Sequence, residues 1–340
     1  MNVEVILTII LGLAFAFGIG ASDETLATLV GSGGMRLRQA TVVGAILATI
    51  GAIFLSQGVA TSIGIEIVNH ESFDLARYQS WILVSVLISV TTWLIMASRT
   101  GLPVSTTYSI IGAFVGVALC APLLGTEFSK MLNWEKLQNI VIGWIASPLL
   151  GLAFTWIMGH LMKRFIRRRI RGLGGMEKLE RTLMIALIFF SCFNQINRAG
   201  NDAGKALGIF YSLGAAAQID GPTMVMMIIA GSVMVGSGLL IIGRHLLRNV
   251  GKNLIEIRPS DAICIETSMS IVLLLANLIA LPISGGQVLV FAIIGLAMAK
   301  HESVNKKRLK RIVYSWLITF PLAAASSAGI LALFFRGVTL

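Results

Sequence analysis

The chain has 340 residues, of which 56% are apolar and 13% charged, and its mean hydropathy is +0.86. Soluble globular chains usually carry about 25% charged residues, so this composition excludes a soluble enzyme, a disordered chain and a coiled coil. It also argues against a nucleic-acid binder, despite a net charge of +11. Apolar runs of about 18 residues or more indicate membrane-spanning helices. The sequence therefore predicts an all-α, polytopic membrane protein.

Ten apolar segments follow along the chain. The first has no basic flank and no small-residue cleavage site, so we expect it to stay in the mature protein. The segment near 104–121 is short and follows Gly-Leu-Pro, which favours a re-entrant or broken helix over a full span. The segments lie near 4–20, 39–60, 80–98, 104–121, 138–162, 182–196, 222–243, 262–280, 286–299 and 311–335.

The strongest break between segments is basic. Residues 163–181 contain eight basic and two acidic side chains, a pattern that favours the cytoplasmic face and contact with anionic lipid headgroups. We expect a cytoplasmic linker at 166–180, an N-terminal transmembrane repeat at 1–165 and a C-terminal one at 181–340.

An internal duplication supports that division. Asp23 and Asp202 are 179 residues apart, and so are Pro103 and Pro282. One offset shared by two unusual motifs predicts two homologous halves. About five segments per half is an odd number, which predicts inverted repeats with a site near the bilayer midplane.

The duplicated acidic positions are the first candidates for chemistry. Ionisable residues inside a membrane are costly and usually functional. The first position holds Asp23 and Glu24, and the second holds Asn201, Asp202 and Lys205. In each half we expect a helix break, then the acidic group, then a helix. Carboxylate and amide oxygens suit small cations, so Asp23 and Asp202 are predicted to bind a coupling ion; N-capping is the alternative for Asp23.

A second pair of motifs offers hydrogen-bond donors. Three hydroxyls, those of Ser105, Thr106 and Thr107, follow the first proline. A helix starting there would present free N–H groups to an anion, although the same geometry would serve as a plain helix cap. The corresponding stretch of the second half is Ser284, Gly285, Gly286 and Gln287, whose glycines allow close approach of the backbone to a ligand.

Other polar residues give weaker signals. Glu266 and Arg198 are expected to pair within the bundle at least as readily as to take part in transport. The cysteines at 120, 192 and 264 and the four histidines are scattered, which predicts no disulfide, no metal catalysis and no cofactor. A channel would not need the paired acids, and an enzyme using Asp23 and Glu24 would lack a nucleophile–base pair.

Together these motifs resemble the inorganic phosphate transporter (PiT) family over nearly the whole chain. The resemblance is carried by four stretches: 20–23 with 31–33 and 37–40, 200–209, 103–107, and Trp316 to Pro321, with Glu266 at a matching spacing. It implies symport of an anion with sodium or protons by alternating access, in a fold of inverted repeats with re-entrant helical hairpins. It also implies a multi-pass protein of the plasma membrane, without enzyme activity.

Carried over residue by residue, the resemblance implies site roles for Asp23, Asn201, Asp202, Ser105, Thr106, Thr107 and Ser284. With the residues noted above, the candidate ligands form two sets. The substrate set is Ser105, Thr106, Thr107, Ser284, Gly285, Gly286, Gln287 and Asn201. The cation set is Ser22, Asp23, Asn201 and Asp202, with Asp23 and Asp202 as the metal-ion ligands. Ser22 and the run Gly285-Gly286-Gln287 depart from the family pattern. Because the family includes a sulfate permease branch, sulfate remains the alternative to phosphate, and a homodimer is left open.

Overall fold

The computed structural model describes residues 3–67, 75–100, 104–251 and 258–338, all of which lie in helices or their connections. In the first half, α1 spans Val3–Ala21, and residues 22–26 separate it from the short helix α2. A 3-10 turn, Ala121–Leu124, follows α6. The remaining helices are α2 (Ala27–Gly31), α3 (Leu37–Leu55), α4 (Gln57–Gly64), α5 (Leu75–Thr100), α6 (Thr106–Leu119), α7 (Phe128–Met131) and α8 (Trp134–Arg169).

The second half begins with the 46-residue helix α9 (Gly172–Ala217). Helix α10 (Gly221–Gly238) continues through a π-helical turn, Leu239–Gly243, into α11 (Arg244–Gly251). The last three helices are α12 (Pro259–Leu278), α13 (Gly285–Lys300) and α14 (Lys306–Val338).

All ten predicted segments fall in helices. Within the described ranges, eight helices are long and apolar enough to cross a membrane: α1, α3, α5, α8, α9, α10, α12 and α14. The other two segments are the short helices α6 and α13, so the segment near 104–121 is not among the full spans, and its re-entrant course stays a prediction. Pro103, which was expected to break the chain there, lies outside the described residues.

One expectation about a chain break is corrected. The second acidic position has no break, because Asn201 and Asp202 lie inside the continuous helix α9. The basic stretch 166–180 is helical except at Ile170 and Arg171. The arginines there extend α8 to Arg169, since arginine is a strong helix former and basic side chains stabilise a helix C-terminus.

Local sequence explains several helix ends. Asn133 caps α8 by accepting a hydrogen bond from the backbone N–H of Lys136 at 3.0 Å. Asp220 caps α10 in the same way through Thr223 at 3.2 Å. The left-handed residues Gln218 (φ 51°) and His301 (φ 59°) end α9 and α13, a common conformation just after a helix C-terminus.

The two halves pack crosswise. Helix α8 of the first half packs on α13 of the second, and α14 of the second packs on α6 of the first. The contacts α1–α5 and α1–α10 likewise have counterparts in α9–α12 and α9–α3. Each short helix is therefore held against a long helix of the other half.

Glycines bring paired helices together. A Cβ at Gly20 of α1 would overlap the carbonyl oxygen of Val235, and one at Gly238 would overlap that of Phe17. Small residues allow this close backbone contact in membrane proteins. Many large apolar side chains, such as Ile185 (73% exposed) and Leu278 (72%), instead point outward, as a lipid-facing surface requires.

Candidate functional site

One face of α9 carries a buried polar stripe. Its six residues recur at spacings of one, three and four positions, so they lie on the same side of the helix. Each is at most 8% exposed. They are Asn194, Gln195, Arg198, Asn201, Asp202 and Lys205.

Asp202 lies between two basic side chains of this stripe. Its Oδ2 accepts a hydrogen bond from Arg198 Nε at 3.2 Å, and its Oδ1 is paired with Lys205 Nζ. Arg198 Nη2 also donates to Glu24 Oε1 at 2.7 Å. The expected pairing of Arg198 within the bundle is thus confirmed, and it connects the acidic positions of the two halves.

The starts of the two short helices meet at Lys205. Its Nζ donates to Thr106 Oγ1 at 3.0 Å and to the carbonyl oxygen of Ile283 at 2.8 Å. Thr107 Oγ1 donates to the same carbonyl at 2.8 Å. Asn201 makes two hydrogen bonds to the loop before α13. Its Oδ1 accepts from the backbone N–H of Ile283 at 3.1 Å, and its Nδ2 donates to the carbonyl oxygen of Leu281 at 3.0 Å.

The two helix starts differ in their caps. Ser105 caps α6, because its Oγ accepts from the N–H of Tyr108 at 3.2 Å. Ser284 occupies the same position before α13 but makes no side-chain cap bond. Ser105 thus forms the plain helix cap that was the alternative to anion binding at 105–107. The neighbouring hydroxyls of Thr106 and Thr107 belong to the polar cluster at the same time.

Arg198 lies directly against the start of α13. A Cβ at Gly285 would contact the guanidinium of Arg198, and one at Gly286 would approach Glu24 Oε1. Two buried polar atoms here have no hydrogen-bond partner within the described residues, Arg198 Nη1 and Gln287 Oε1. A free guanidinium N–H beside a helix N-terminus is an arrangement that attracts an anion.

Asp23 lies in the break after α1 and has only neutral partners. Its Oδ1 accepts from Thr25 N at 2.8 Å and Thr25 Oγ1 at 2.6 Å, and its Oδ2 from Gln195 Nε2 at 2.5 Å. The bonds to Thr25 form an Asx-type turn, and α2 begins only at Ala27, so Asp23 is not its N-cap. Ser22 donates to Ile19 O at 2.9 Å.

Glu266 makes a separate polar cluster nearby. It is fully buried and accepts hydrogen bonds from Thr28 Oγ1 and, at 2.5 Å, from Asn194 Nδ2. These partners join α12 to α2 and α9. In the part of the chain that the structure describes, no three His, Cys, Asp or Glu side chains are grouped to hold a metal ion.

The sequence profile of the phosphate transporter family matches the chain twice, over residues 19–175 and 171–327. The chain belongs to the phosphate transporter family. The double match places one copy of the family's repeat in each half.

Named relatives of this transporter agree. It is 26% identical to a Pyrococcus abyssi protein named a phosphate permease, over 96% of this chain and 97% of the relative. It is 24% identical to the chloroplastic inorganic phosphate transporter 2-1 of Arabidopsis thaliana, over 93% of this chain and 70% of that one. A solved structure described as a sodium-dependent phosphate transporter has the same fold, with a TM-score of 0.85, 24% identity and full coverage of both chains.

The structure brings most predicted site residues of this transporter together. Thr106, Thr107, Asn201 and Asp202 belong to one hydrogen-bonded cluster, bordered by Ser105 and by residues 284–287. Asp23 is hydrogen-bonded to Thr25 and Gln195 and Ser22 to Ile19, outside the bonds of this cluster. Sequence reasoning missed Gln195, Asn194 and Thr28; the spacing of polar residues along α9 is the signal that could have found the first two.

Proposed function

We propose that this transporter carries inorganic phosphate across the membrane and couples its movement to a sodium or proton gradient. The observation that carries the proposal is the buried Arg198 Nη1, without a partner in the described part of the chain and set against the glycines that start α13. Phosphate oxygens would accept from this N–H and from the free backbone N–H groups that begin a helix.

Charge balance supports an anion that binds reversibly. Arg198 is held by Glu24 and Asp202, so its charge is largely compensated before the substrate arrives. An uncompensated arginine would hold a multivalent anion too tightly for release. Because the basic and acidic groups are already paired, the anion gains hydrogen bonds without meeting a full unpaired charge.

Asp23 is the proposed position of the coupling cation. Its carboxylate is buried and receives bonds from neutral groups only, and the nearby Gln195 Oε1 is a buried oxygen without a partner in the described residues. Carboxylate and amide oxygens are the ligands that small hard cations prefer. The relative described as sodium-dependent makes sodium the first ion to test.

Alternating access is proposed to open the site. The central cluster consists of Thr106, Thr107, Arg198, Asn201, Asp202 and Lys205, and each of these residues is at most 8% exposed. The described state is therefore closed to solvent, and the substrate must enter through another conformation. Helix α8 packs on α13, and α14 packs on α6. A movement of the long helix in one half would therefore carry the short helix of the other half with it. Inverted repeats of this kind, with re-entrant short helices, would rock about a site near the midplane.

The test is uptake of labelled phosphate into proteoliposomes of purified protein, under imposed sodium and proton gradients in turn. We expect gradient-driven uptake that excess unlabelled phosphate blocks and excess sulfate does not. Liposomes without protein and the variant Lys136→Asn, at a partly exposed lysine paired with Glu66, are the controls. Uptake of sulfate but not phosphate would replace the proposed substrate with the alternative one.

A further inference from the structure

Lys205 is the least expected group in the site. It is a fully buried lysine in the middle of a membrane protein, where a charge is retained only with specific partners. It comes three residues after the second-half acid, on the face of α9 that meets both short helices. At the corresponding place after Asp23 the chain has Leu26.

The ammonium of Lys205 has three oxygen partners from three segments. They are the carboxylate of Asp202 on α9, the hydroxyl of Thr106 at the start of α6 and the backbone carbonyl of Ile283 before α13. An ammonium has three N–H donors, so each donor meets one oxygen.

The same oxygen set would suit a small cation. Hard cations bind carboxylate, hydroxyl and carbonyl oxygens, and in transporters with broken helices the unwound backbone carbonyls coordinate the coupling ion. Ile283 contributes such a carbonyl from the non-helical residues before α13. Lysine is a compact point charge on a flexible chain, which makes it a close substitute for a bound ion.

We propose that the Lys205 ammonium is a covalently attached cation that permanently occupies the second-half cation position, leaving Asp23 as the only one of the two acidic positions open to a mobile ion. This inference rests on the proposed function. It states which acidic position holds the fixed ammonium and which binds the mobile ion. The predicted cation position at Asp202 is then filled, but by the protein itself.

The consequence for the transport cycle is a central cluster that assembles without an ion. Lys205 joins α9, α6 and the loop before α13, so the two helix starts stay together whether or not sodium is present. The binding of a mobile ion at Asp23 would then be the step that couples the gradient to transport. Removal of the ammonium would open a position with Asp202, Thr106 and Ile283 as ready ligands.

The experiment measures sodium binding through stability, because a ligand that binds the folded state raises Tm. Full-length protein purified in detergent is unfolded by heat in sodium chloride and in choline chloride of equal ionic strength, at fixed pH and without phosphate. The variant Lys205→Asn shortens the side chain and supplies one amide oxygen. Lys136→Asn removes a lysine that is paired with Glu66 on another part of the protein's polar surface and not with the α9 cluster, and it is the matched control.

We expect the sodium-dependent rise in Tm of Lys205→Asn to exceed that of the natural protein by several degrees, and that of Lys136→Asn to equal it. A folded Lys205→Asn protein with no larger sodium effect than the natural protein would overturn the proposal. The readout does not require transport, so an absence of phosphate uptake by the natural protein would refute the proposed function alone.

A second variant covers the case in which Lys205→Asn does not fold. Thr106→Val keeps the shape of Thr106 and removes its oxygen. With Lys205 in place, sodium does not bind at this position and does not need the Thr106 oxygen as a ligand. We therefore expect the sodium-dependent rise in Tm of Thr106→Val to equal that of the natural protein. A clearly smaller rise would mean that sodium enters this position beside the lysine, and the proposal would be wrong.

Discussion

The two acidic positions of this transporter share a motif and differ in their surroundings. Asp23 lies in a helix break and meets neutral donors, whereas Asp202 lies within a continuous helix between Arg198 and Lys205. The cause is visible in the sequence: the residues four before and three after Asp202 are basic, while those around Asp23 are Ile19 and Leu26. A duplicated motif therefore does not imply a duplicated site, because neighbours one helical turn away decide its charge.

The largest predicted effect separates these two acids by stability. Asp202→Asn leaves Arg198 and Lys205 short of a buried counterion, and removing one partner of a buried pair costs about 3–5 kcal/mol. Asp23→Asn keeps an oxygen for the two Thr25 donors and loses the charge-assisted bond from Gln195, which contributes about 1.5–3 kcal/mol. Thermal unfolding in detergent should show a lower Tm for Asp202→Asn than for Asp23→Asn, and uptake by Asp202→Asn should fall to background. Equal losses of stability would contradict the contrast.

The next effect concerns the anion. A charge-assisted hydrogen bond contributes about 1.5–3 kcal/mol, so the double variant Glu24→Gln with Arg198→Gln should raise the KM for phosphate roughly ten- to a hundredfold. Removing both partners of the Glu24–Arg198 pair limits the change in net charge. An unchanged KM would show that Arg198 does not contact the substrate.

A smaller effect tests the start of α13. The added methyl of Gly286→Ala would press on the carboxylate of Glu24 and thereby shift Arg198. We expect phosphate affinity to fall several-fold in uptake assays. Gly221→Ala, at the start of α10, has nothing near its added methyl and should transport normally. Equal uptake kinetics for the two variants would show that the start of α13 does not take part in phosphate binding.

The smallest predicted effect compares the two caps. Ser105→Ala removes a helix cap, at a cost of about 1 kcal/mol, while Ser284→Ala removes no cap bond. Thermal unfolding should show a lower Tm for Ser105→Ala only. A matching loss for Ser284→Ala would mean that both serines hold their helices alike.

The helices themselves could be predicted from the sequence, because apolar runs and breakers encode them directly. The hydroxyls of Thr106 and Thr107 and the amide of Asn201 were also found, since unusual polar groups stand out in apolar segments. Contacts between the halves could not be found this way. The bond from Thr107 to Ile283 joins residues 176 positions apart and depends on how α6 and α13 pack.

The roles of individual charges were the hardest to predict. Lys205 was noticed beside Asp202, but its pairing depends on oxygens supplied by α6 and by the loop before α13. The break expected at Asn201 was wrong because α9 continues through it, and that continuity is what puts Arg198, Asp202 and Lys205 on one face. Helical spacing of the polar residues from 194 to 205 would have shown this arrangement.

The most direct test of the account is the steady-state ratio of internal to external labelled phosphate in proteoliposomes under a cation gradient. The natural protein should concentrate phosphate well above the external level. Asp23→Asn should still bind and exchange phosphate but bring the ratio to one, because only Asp23 is open to the mobile cation. Concentrative uptake that survives in Asp23→Asn would contradict the account and return the coupling ion to the position of Lys205.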